Sequence, residues 1–235
     1  MNLRGTRDRS PRPGPARRPA AVGRLGAVLV AASLVVGCSI LRASPDNSRR
    51  FLLTSTAEQP VEPAKLHPDV HVGLGPVTLP GYLDTQNLVR TGPGGSVDYV
   101  RGAYWAEPLG DGFRRALRYR TGARIGTPNM IAYPWYSTTR VDWKVLVDVL
   151  RFEATTDGHA VLVARWSVAP ATDGAAPIAG GQFSCDETAG ADAALVVDAL
   201  SRCVDRLADA IAGAVLAAPA PAAPEAKRPA GKPKS

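Results

Sequence analysis

The sequence predicts an α/β domain in which a β-sheet packs against helices. One observation is a pair of strand-like segments, residues 141–153 and 160–168, which are rich in β-branched and aromatic residues and are joined through an Asp-Gly turn. A second is the segment 191–217, where apolar residues recur every three or four positions. A shorter segment from residue 106 onward has the same helical spacing. Together these patterns predict one domain of ordinary size with tails.

The chain begins with a predicted signal peptide of the lipoprotein kind, residues 1–37. Its uncharged apolar run, Leu25–Val36, is twelve residues long, whereas a membrane span needs about 20. The residues Val35-Val36-Gly37-Cys38 resemble the bacterial lipobox, in which a small residue precedes the cysteine. This resemblance implies cleavage between Gly37 and Cys38, diacylglycerol on the Cys38 sulfur, and acylation of the new amino terminus. The alternative is an ordinary cysteine in an uncleaved apolar helix.

The next segments divide the mature chain into a spacer, a domain and a tail. Residues 38–49 are short and polar and suit a spacer, residues 50–217 hold the predicted domain, and residues 218–235 form a basic tail rich in Pro, Ala and Lys that is predicted to be disordered. Ser39 follows the cysteine, and serine at this position favours sorting to the outer membrane. We therefore expect a protein held by lipid at the periplasmic face of the outer membrane.

Three further strands are predicted before the hairpin. Residues 50–56 and 97–105 read as extended segments, and residues 70–80 alternate apolar and small side chains. In the last of these, Gly73 and Gly75 lack the third glycine and the following helix of a dinucleotide site. They predict a close backbone approach or a bulge. A further strand, residues 179–186, is expected after the hairpin.

Both predicted helices have one apolar stripe. In the first, Pro108 fits only the first turn, and the stripe consists of Leu109, Phe113, Ala116 and Leu117. In the second, charged residues such as Asp198, Asp205 and Asp209 lie on the polar side and exclude a membrane span. Its stripe consists of Val196, Leu200, Cys203, Leu207, Ile211 and Val215.

The positive charge lies mostly outside the domain. The whole chain carries a formal charge of +7, of which the leader holds +6 and residues 218–235 hold +3, so residues 38–217 have a net charge of −2. The domain also lacks a run of basic residues interleaved with aromatics. The sequence therefore argues against a nucleic-acid partner.

The three cysteines fit a lipoprotein outside the cytoplasm. Lipidation of Cys38 leaves the pair Cys185 and Cys203, and thiols in such compartments tend to form disulfides. The alternative is that Cys203 is simply a buried member of the apolar helix face. The sequence does not decide between the two, because it does not give the Cα separation that a disulfide requires.

No arrangement of residues in the sequence is typical of catalysis. The histidines, His67, His71 and His159, are isolated, no Gly-x-Ser-x-Gly motif occurs, and no Cys/His spacing fits zinc. We expect a protein that is not an enzyme and that has no cofactor or metal.

Several motifs resemble the ABC-type transport auxiliary lipoproteins, in particular the PqiC-like, membrane-integrity-associated transporter subunits. The matching stretches are Val72-Gly-Leu-Gly-Pro-Val-Thr-Leu-Pro-Gly-Tyr-Leu-Asp84, Trp105-Ala-Glu-Pro-Leu109, Asp148-Val-Leu-Arg-Phe-Glu153 and Ala164-Arg-Trp166. The resemblance implies a three-layer α/β domain around a mixed sheet. It also implies an outer-membrane lipoprotein whose inner-membrane partner carries MCE domains, spans the periplasm and moves lipids.

The resemblance also suggests where this protein acts. Tyr82, Leu83 and Trp105 border turns rich in Gly and Pro and are candidates for partner or subunit contacts, although each could instead serve the core. Self-association into a ring is implied only by the resemblance. Two other functions stay open at this point: a structural envelope lipoprotein that binds cell wall through its basic tail, and a lipid-processing enzyme.

Overall fold

The computed structural model describes residues 47–53, 66–136, 138–172 and 174–219. Its strands are Arg49–Phe51 (β1), Val72–Thr78 (β2), Asn87–Thr91 (β3), Val97–Trp105 (β4), Met130–Ala132 (β5), Trp143–Thr155 (β6), His159–Pro170 (β7) and Ala179–Thr188 (β8). Its helices are Leu109–Ile125 (α1) and Ala193–Ala217 (α2). The predictions for Gly37, Cys38, Ser39 and most of the tail lie outside the described residues.

The sheet is built around β6, the longest strand. β6 pairs antiparallel with β7, and β7 pairs antiparallel with β8. On its other side β6 pairs in parallel with β2 along its first half and with β3 at its end. β5 adds to β2 in parallel, whereas β4 adds antiparallel to β3 and β1 adds in parallel to β4. The predicted α/β class, the mixed sheet and the long C-terminal helix are confirmed.

Both helices pack on the same face of the sheet and contact each other. The opposite face exposes alternate side chains of β6, among them Leu146, which is 50% exposed. Within the described residues the two helices thus cover one face of the mixed sheet, and its other face stays open. The reason is that β6 and β7 alternate buried and exposed residues along their central parts, which is the pattern of a sheet covered on one side.

The covered face contains a single apolar core. Every residue of the two predicted helical stripes is buried. Phe152 of β6 contacts Phe113 of α1 edge to face, with ring centroids 5.3 Å apart, and lies 6.2 Å from the ring of Trp105. Since burying one large apolar side chain stabilises a fold by about 1.5 to 3 kcal/mol, this face accounts for most of the apolar stabilisation.

A charged cluster fills the contact between the two helices. Arg120 of α1 is fully buried, its Nε lies 3.1 Å from Asp205 of α2, and it donates a hydrogen bond to the Ser201 carbonyl oxygen. Arg124 also pairs with Asp205 and with Asp209. Burial lowers the pKa of the Arg120 guanidinium. The polar side predicted for α2 is thus partly an inter-helix contact rather than a solvated surface.

The element boundaries follow local chemistry. α1 ends where Gly126 adopts a left-handed conformation with φ of 77°, and α2 begins where the Asp192 side chain accepts hydrogen bonds from the N–H groups of Ala194 and Leu195. The predicted hairpin turn is confirmed at Gly158, whose φ is 86°. Among the helices that the structure describes, none is long and apolar enough to cross a membrane.

The sequence patterns did not predict two short strands. β3 has five residues and β5 has three, and neither was predicted. β5 pairs with the distant strand β2, and β3 pairs antiparallel with β4 and in parallel with the distant strand β6. Strands this short carry little local periodicity. The first strand is also shorter than predicted, because β1 ends at Phe51.

Candidate functional site

The sheet face that carries no helices, here called the helix-free face, holds an open groove. This groove of about 660 Å³, here called the central groove, crosses β2, β6, β7 and β8. Its side-chain lining is mainly Pro76, Thr78, Leu146, Asp148, Arg165, Ser167 and Gln182. The groove therefore offers a mixed surface with an exposed leucine at its floor.

The strand registers explain why these side chains meet. Asp148 lies directly opposite Arg165 across the β6–β7 pair, and Leu146 lies opposite Ser167. Thr78 of β2 is in register with Asp148, and its hydroxyl donates a hydrogen bond of 2.5 Å to the Asp148 carboxylate. Side chains two residues apart on a strand share one face of a sheet. The polar groups of the groove are therefore held in fixed positions by the sheet itself.

One flank of this face is aromatic. A Cβ atom added at Gly73 would lie 2.6 Å from the Trp135 ring, and one added at Gly75 would lie 2.5 Å from Leu146. The close approach predicted for these glycines is thus confirmed. Trp135 donates its indole N–H to the Ile131 carbonyl oxygen, and its ring meets that of Tyr133 edge to face at 5.5 Å. The glycines therefore leave room for the Trp135 side chain close to strand β2.

A buried carboxylate anchors the Tyr82 turn. Glu153 is 1% exposed, and its Oε2 accepts hydrogen bonds from the Tyr82 hydroxyl and the Phe152 N–H. Its Oε1 accepts from Arg151 at 2.7 Å and from Thr91 at 3.3 Å. Burial, followed by the hydrogen bond to Glu153, raises the pKa of the Tyr82 phenol. This network fixes the segment between β2 and β3 onto the end of β6.

The three candidate contact residues differ in exposure. Leu83 and Trp105 are 2% and 3% exposed and belong to the core, whereas Tyr82 is 37% exposed. The alternative role of the first two, packing within the domain, is what the structure shows. A partner surface at this place would thus have Tyr82 as its only exposed member among the three.

The cysteine pair lies on the covered face. Cys185 of β8 and Cys203 of α2 are joined with an S–S distance of 2.03 Å and a Cα separation of 5.6 Å. Both residues are buried, so the bridge ties α2 to the edge strand of the sheet. The structure thus joins the two cysteines whose pairing the sequence left open.

The described residues contain no assembled catalytic group. His71 lies 3.4 Å from Asp142, and His159 lies 2.7 Å from Asp186. Within that part of the chain neither imidazole ring has a Ser or Cys side chain bonded to it, and no group of three potential metal ligands occurs there. The fold and the open groove together define a class of protein, an α/β domain with one covered face and one face free for binding.

The chain belongs to the family of ABC-type transport auxiliary lipoprotein components, whose model matches residues 51–212. This is a family of transport auxiliary lipoproteins and not a family of enzymes. The membership confirms the resemblance carried by the sequence motifs. No match to this chain was found among curated protein sequences.

Two crystal structures share the fold. One, of a protein described only as uncharacterized, is 17% identical over 71% of this chain and 97% of its own, with a TM-score of 0.57. The other, a protein of family DUF330 from Xanthomonas campestris, is 18% identical over 66% of this chain and 89% of its own, with a TM-score of 0.53. At these identities the similarity establishes the fold alone.

Proposed function

We propose that this protein is the outer-membrane lipoprotein subunit of an MCE-type system that transports lipids between membranes. The observation that carries the proposal is the family match over residues 51–212. The lipobox-like residues ending at Cys38 support lipid anchoring, and Ser39 supports the outer membrane as its destination. Two or more acyl chains would hold the domain stably at the membrane surface.

In this proposal the domain acts by binding and not by catalysis. The helix-free face supplies the docking surface, because it presents the central groove, in which Leu146 is exposed beside the cross-strand pair of Asp148 and Arg165. Protein–protein interfaces commonly combine an apolar centre with a polar rim. The partner is the MCE-domain protein that spans the periplasm, and several copies of this lipoprotein could surround its end.

Co-purification tests the partner. The lipidated protein is recovered from detergent-solubilised envelope, and the co-purified proteins are identified by mass spectrometry. We expect a long MCE-domain protein with the native chain and its loss with Cys38→Ala, which cannot be acylated. Recovery of the native chain without any MCE-domain protein, under conditions that preserve other envelope complexes, would argue against the proposal.

A matched pair of variants tests the docking face. Leu146→Glu places a charge in the central groove, and Leu216→Glu places the same charge near the end of α2, at a leucine that is 47% exposed compared with 50% for Leu146. We expect the first variant to lose the MCE-domain protein and the second to retain it. Equal retention by both would remove the groove from the interface and leave the transport role itself standing.

A further inference from the structure

The edge of the sheet where the described domain begins is rich in exposed arginine. Arg49 and Arg50 lie on β1, and Arg101 lies on the adjacent strand β4, close to the point where Asn47 passes Gly102. All three arginines are exposed. Together with Tyr99 and Tyr104 of β4 they are called the arginine edge below.

Two of these arginines lack the partners that most others have. In the described residues most arginines lie within 4.0 Å of a carboxylate, and Arg49 is one of them, at 3.8 Å from Asp192. Arg50 and Arg101 have no carboxylate at that distance within that part of the chain. The nearby Asp98 is occupied by Arg90 and by the Tyr99 N–H. The edge thus keeps positive charge that the rest of the domain, with its net charge of −2 over residues 38–217, does not neutralise locally.

Aromatic side chains accompany this charge. Arg50 lies over the Tyr104 ring at 5.9 Å from its centroid, and Arg49 lies over the Phe51 ring at 5.0 Å. Tyr99 is 48% exposed, and Leu52, the residue after β1, is also 48% exposed. Tyrosine and arginine side chains suit the boundary between water and lipid, since each combines an apolar body with a polar end.

The sequence places this edge close to the proposed lipid anchor. Eight residues separate Cys38 from Asn47, where the described domain begins. A fully extended chain of that length spans only about 30 Å. If Cys38 is acylated, the arginine edge is therefore the part of the domain that the tether holds nearest to the membrane surface.

We propose that the arginine edge is a second membrane contact, at which Arg50 and Arg101 bind the headgroups of anionic phospholipids and orient the domain on the bilayer. A lipid chain and a basic patch commonly act together in membrane attachment. The inference rests on the proposed function in one respect, the acylation of Cys38.

Fluorescence quenching from the bilayer tests the contact. The lipidated mature chain is reconstituted into vesicles that carry nitroxide-labelled lipid and consist of phosphatidylcholine alone or mixed with phosphatidylglycerol. A fluorophore is attached at Leu52→Cys or, in a second preparation, at Leu146→Cys, two leucines of similar exposure. We expect strong quenching of the Leu52→Cys probe in the anionic vesicles only, with little quenching of the Leu146→Cys probe in either.

Charge variants separate a specific contact from a general charge effect. Arg50→Gln with Arg101→Gln is expected to shift the equilibrium away from the membrane-bound orientation by about 30-fold, since each arginine near an anionic surface contributes about a fivefold factor. The control, Arg118→Gln with Arg202→Gln, removes the same charge from two helix arginines that lie outside both the arginine edge and the central groove, and it should leave quenching unchanged. Equal quenching in both vesicle types, or equal losses in the two double variants, would overturn the inference.

The same experiment distinguishes failure of the anchor from failure of the arginine edge. Mass spectrometry before reconstitution shows whether Cys38 is acylated. If it is not, the proposed anchoring fails, and the edge is tested by flotation of the unlipidated chain with the two vesicle types. Preferential binding to anionic vesicles that requires Arg50 and Arg101 would support the edge, and absence of such binding would reject it.

Discussion

The two faces of the sheet use the same strands for different purposes. On the covered face, alternate residues of β6 and β7 meet two helices, and Phe152, Phe113 and Trp105 pack with 3% exposure or less. On the helix-free face, the intervening residues line the central groove, and Leu146 remains half exposed. Because side chains of a strand alternate between faces, one segment can supply the core and a binding surface at once. Substitutions on the covered face should therefore change stability, and substitutions on the helix-free face should change binding, each largely without the other.

Truncation of a central aromatic residue tests the covered face most severely. Phe152→Ala removes a ring that is 1% exposed and contacts both Phe113 and Trp105. We expect a loss of about 3 to 5 kcal/mol in the free energy of unfolding, measured by urea denaturation. A loss close to that of an exposed residue would show that this face does not carry the fold.

The buried charge between the helices gives the next largest effect. Asp205→Ala leaves the Arg120 guanidinium without that carboxylate in a buried site, and we expect a loss of about 3 kcal/mol in the free energy of unfolding. Arg120→Met, which replaces the charge with apolar volume, should cost less than about 1 kcal/mol. If the methionine variant were the less stable of the two, the ion pair itself, and not the unpaired charge, would be the decisive quantity.

Loss of the disulfide should lower the free energy of unfolding about as much as loss of the buried ion pair, or slightly less. A disulfide closing 18 residues of sequence is expected to contribute about 3 kcal/mol. Cys185→Ala combined with Cys203→Ala should lower the free energy of unfolding by that amount relative to oxidised native protein. The wild-type protein should also lose stability on treatment with a reductant. Two reactive thiols in the denatured, non-reduced wild-type chain would contradict the predicted disulfide.

Loss of the Tyr82 hydrogen bond should lower the free energy of unfolding by less than the core substitutions do. Tyr82→Phe removes a donor to the buried Glu153 carboxylate, and we expect a loss of about 1 to 2 kcal/mol at neutral pH. The folded state raises the pKa of this phenol. Its contribution is therefore fully present below the ordinary tyrosine pKa and is lost as pH rises through the folded value.

Alkaline denaturation measures this pH dependence. The stabilities of the wild type and of Tyr82→Phe should converge as the pH rises above the ordinary tyrosine range. A stability difference that stays constant across that range would show that the phenol proton has no part in holding the turn.

Charge in the central groove should give the smallest stability effect. We expect Leu146→Glu and Leu216→Glu to change the free energy of unfolding by less than about 0.5 kcal/mol each, because both leucines are about half exposed. Urea denaturation checks this alongside the co-purification experiment. A large loss of stability in Leu146→Glu alone would show that the helix-free face also supports the fold.

Much of the fold could be predicted because its signals are local. The apolar stripe of α2 from Val196 to Val215 repeats with helical spacing, and the turn at Gly158 is encoded by two adjacent residues. In contrast, β3 and β5 have only five and three residues, and β5 gains its hydrogen bonds from the distant strand β2. Their own residues therefore carry no periodicity that distinguishes them from loops.

The candidate site was less accessible to sequence reasoning. Tyr82 was selected for its size and its neighbouring turn, but its partner Glu153 lies 71 residues away. The central groove was not predicted, although Lys144 and Asp148 alternate with Val145, Val147 and Val149 and so indicate that the two faces differ. Leu83 and Trp105 show that large side chains beside turns can equally be core residues.

The sequence by itself determined the class of fold, the lipobox-like leader, the neutral character of the domain and the family resemblance, because each is written in composition, spacing or contiguous motifs. Only the tertiary structure decided which sheet face the helices cover, where Arg120 meets Asp205, and that exposed arginines of two strands form one edge. These features depend on pairings between segments far apart in the chain. Such pairings gain their free energy only when both segments are in place, so neither segment encodes them alone.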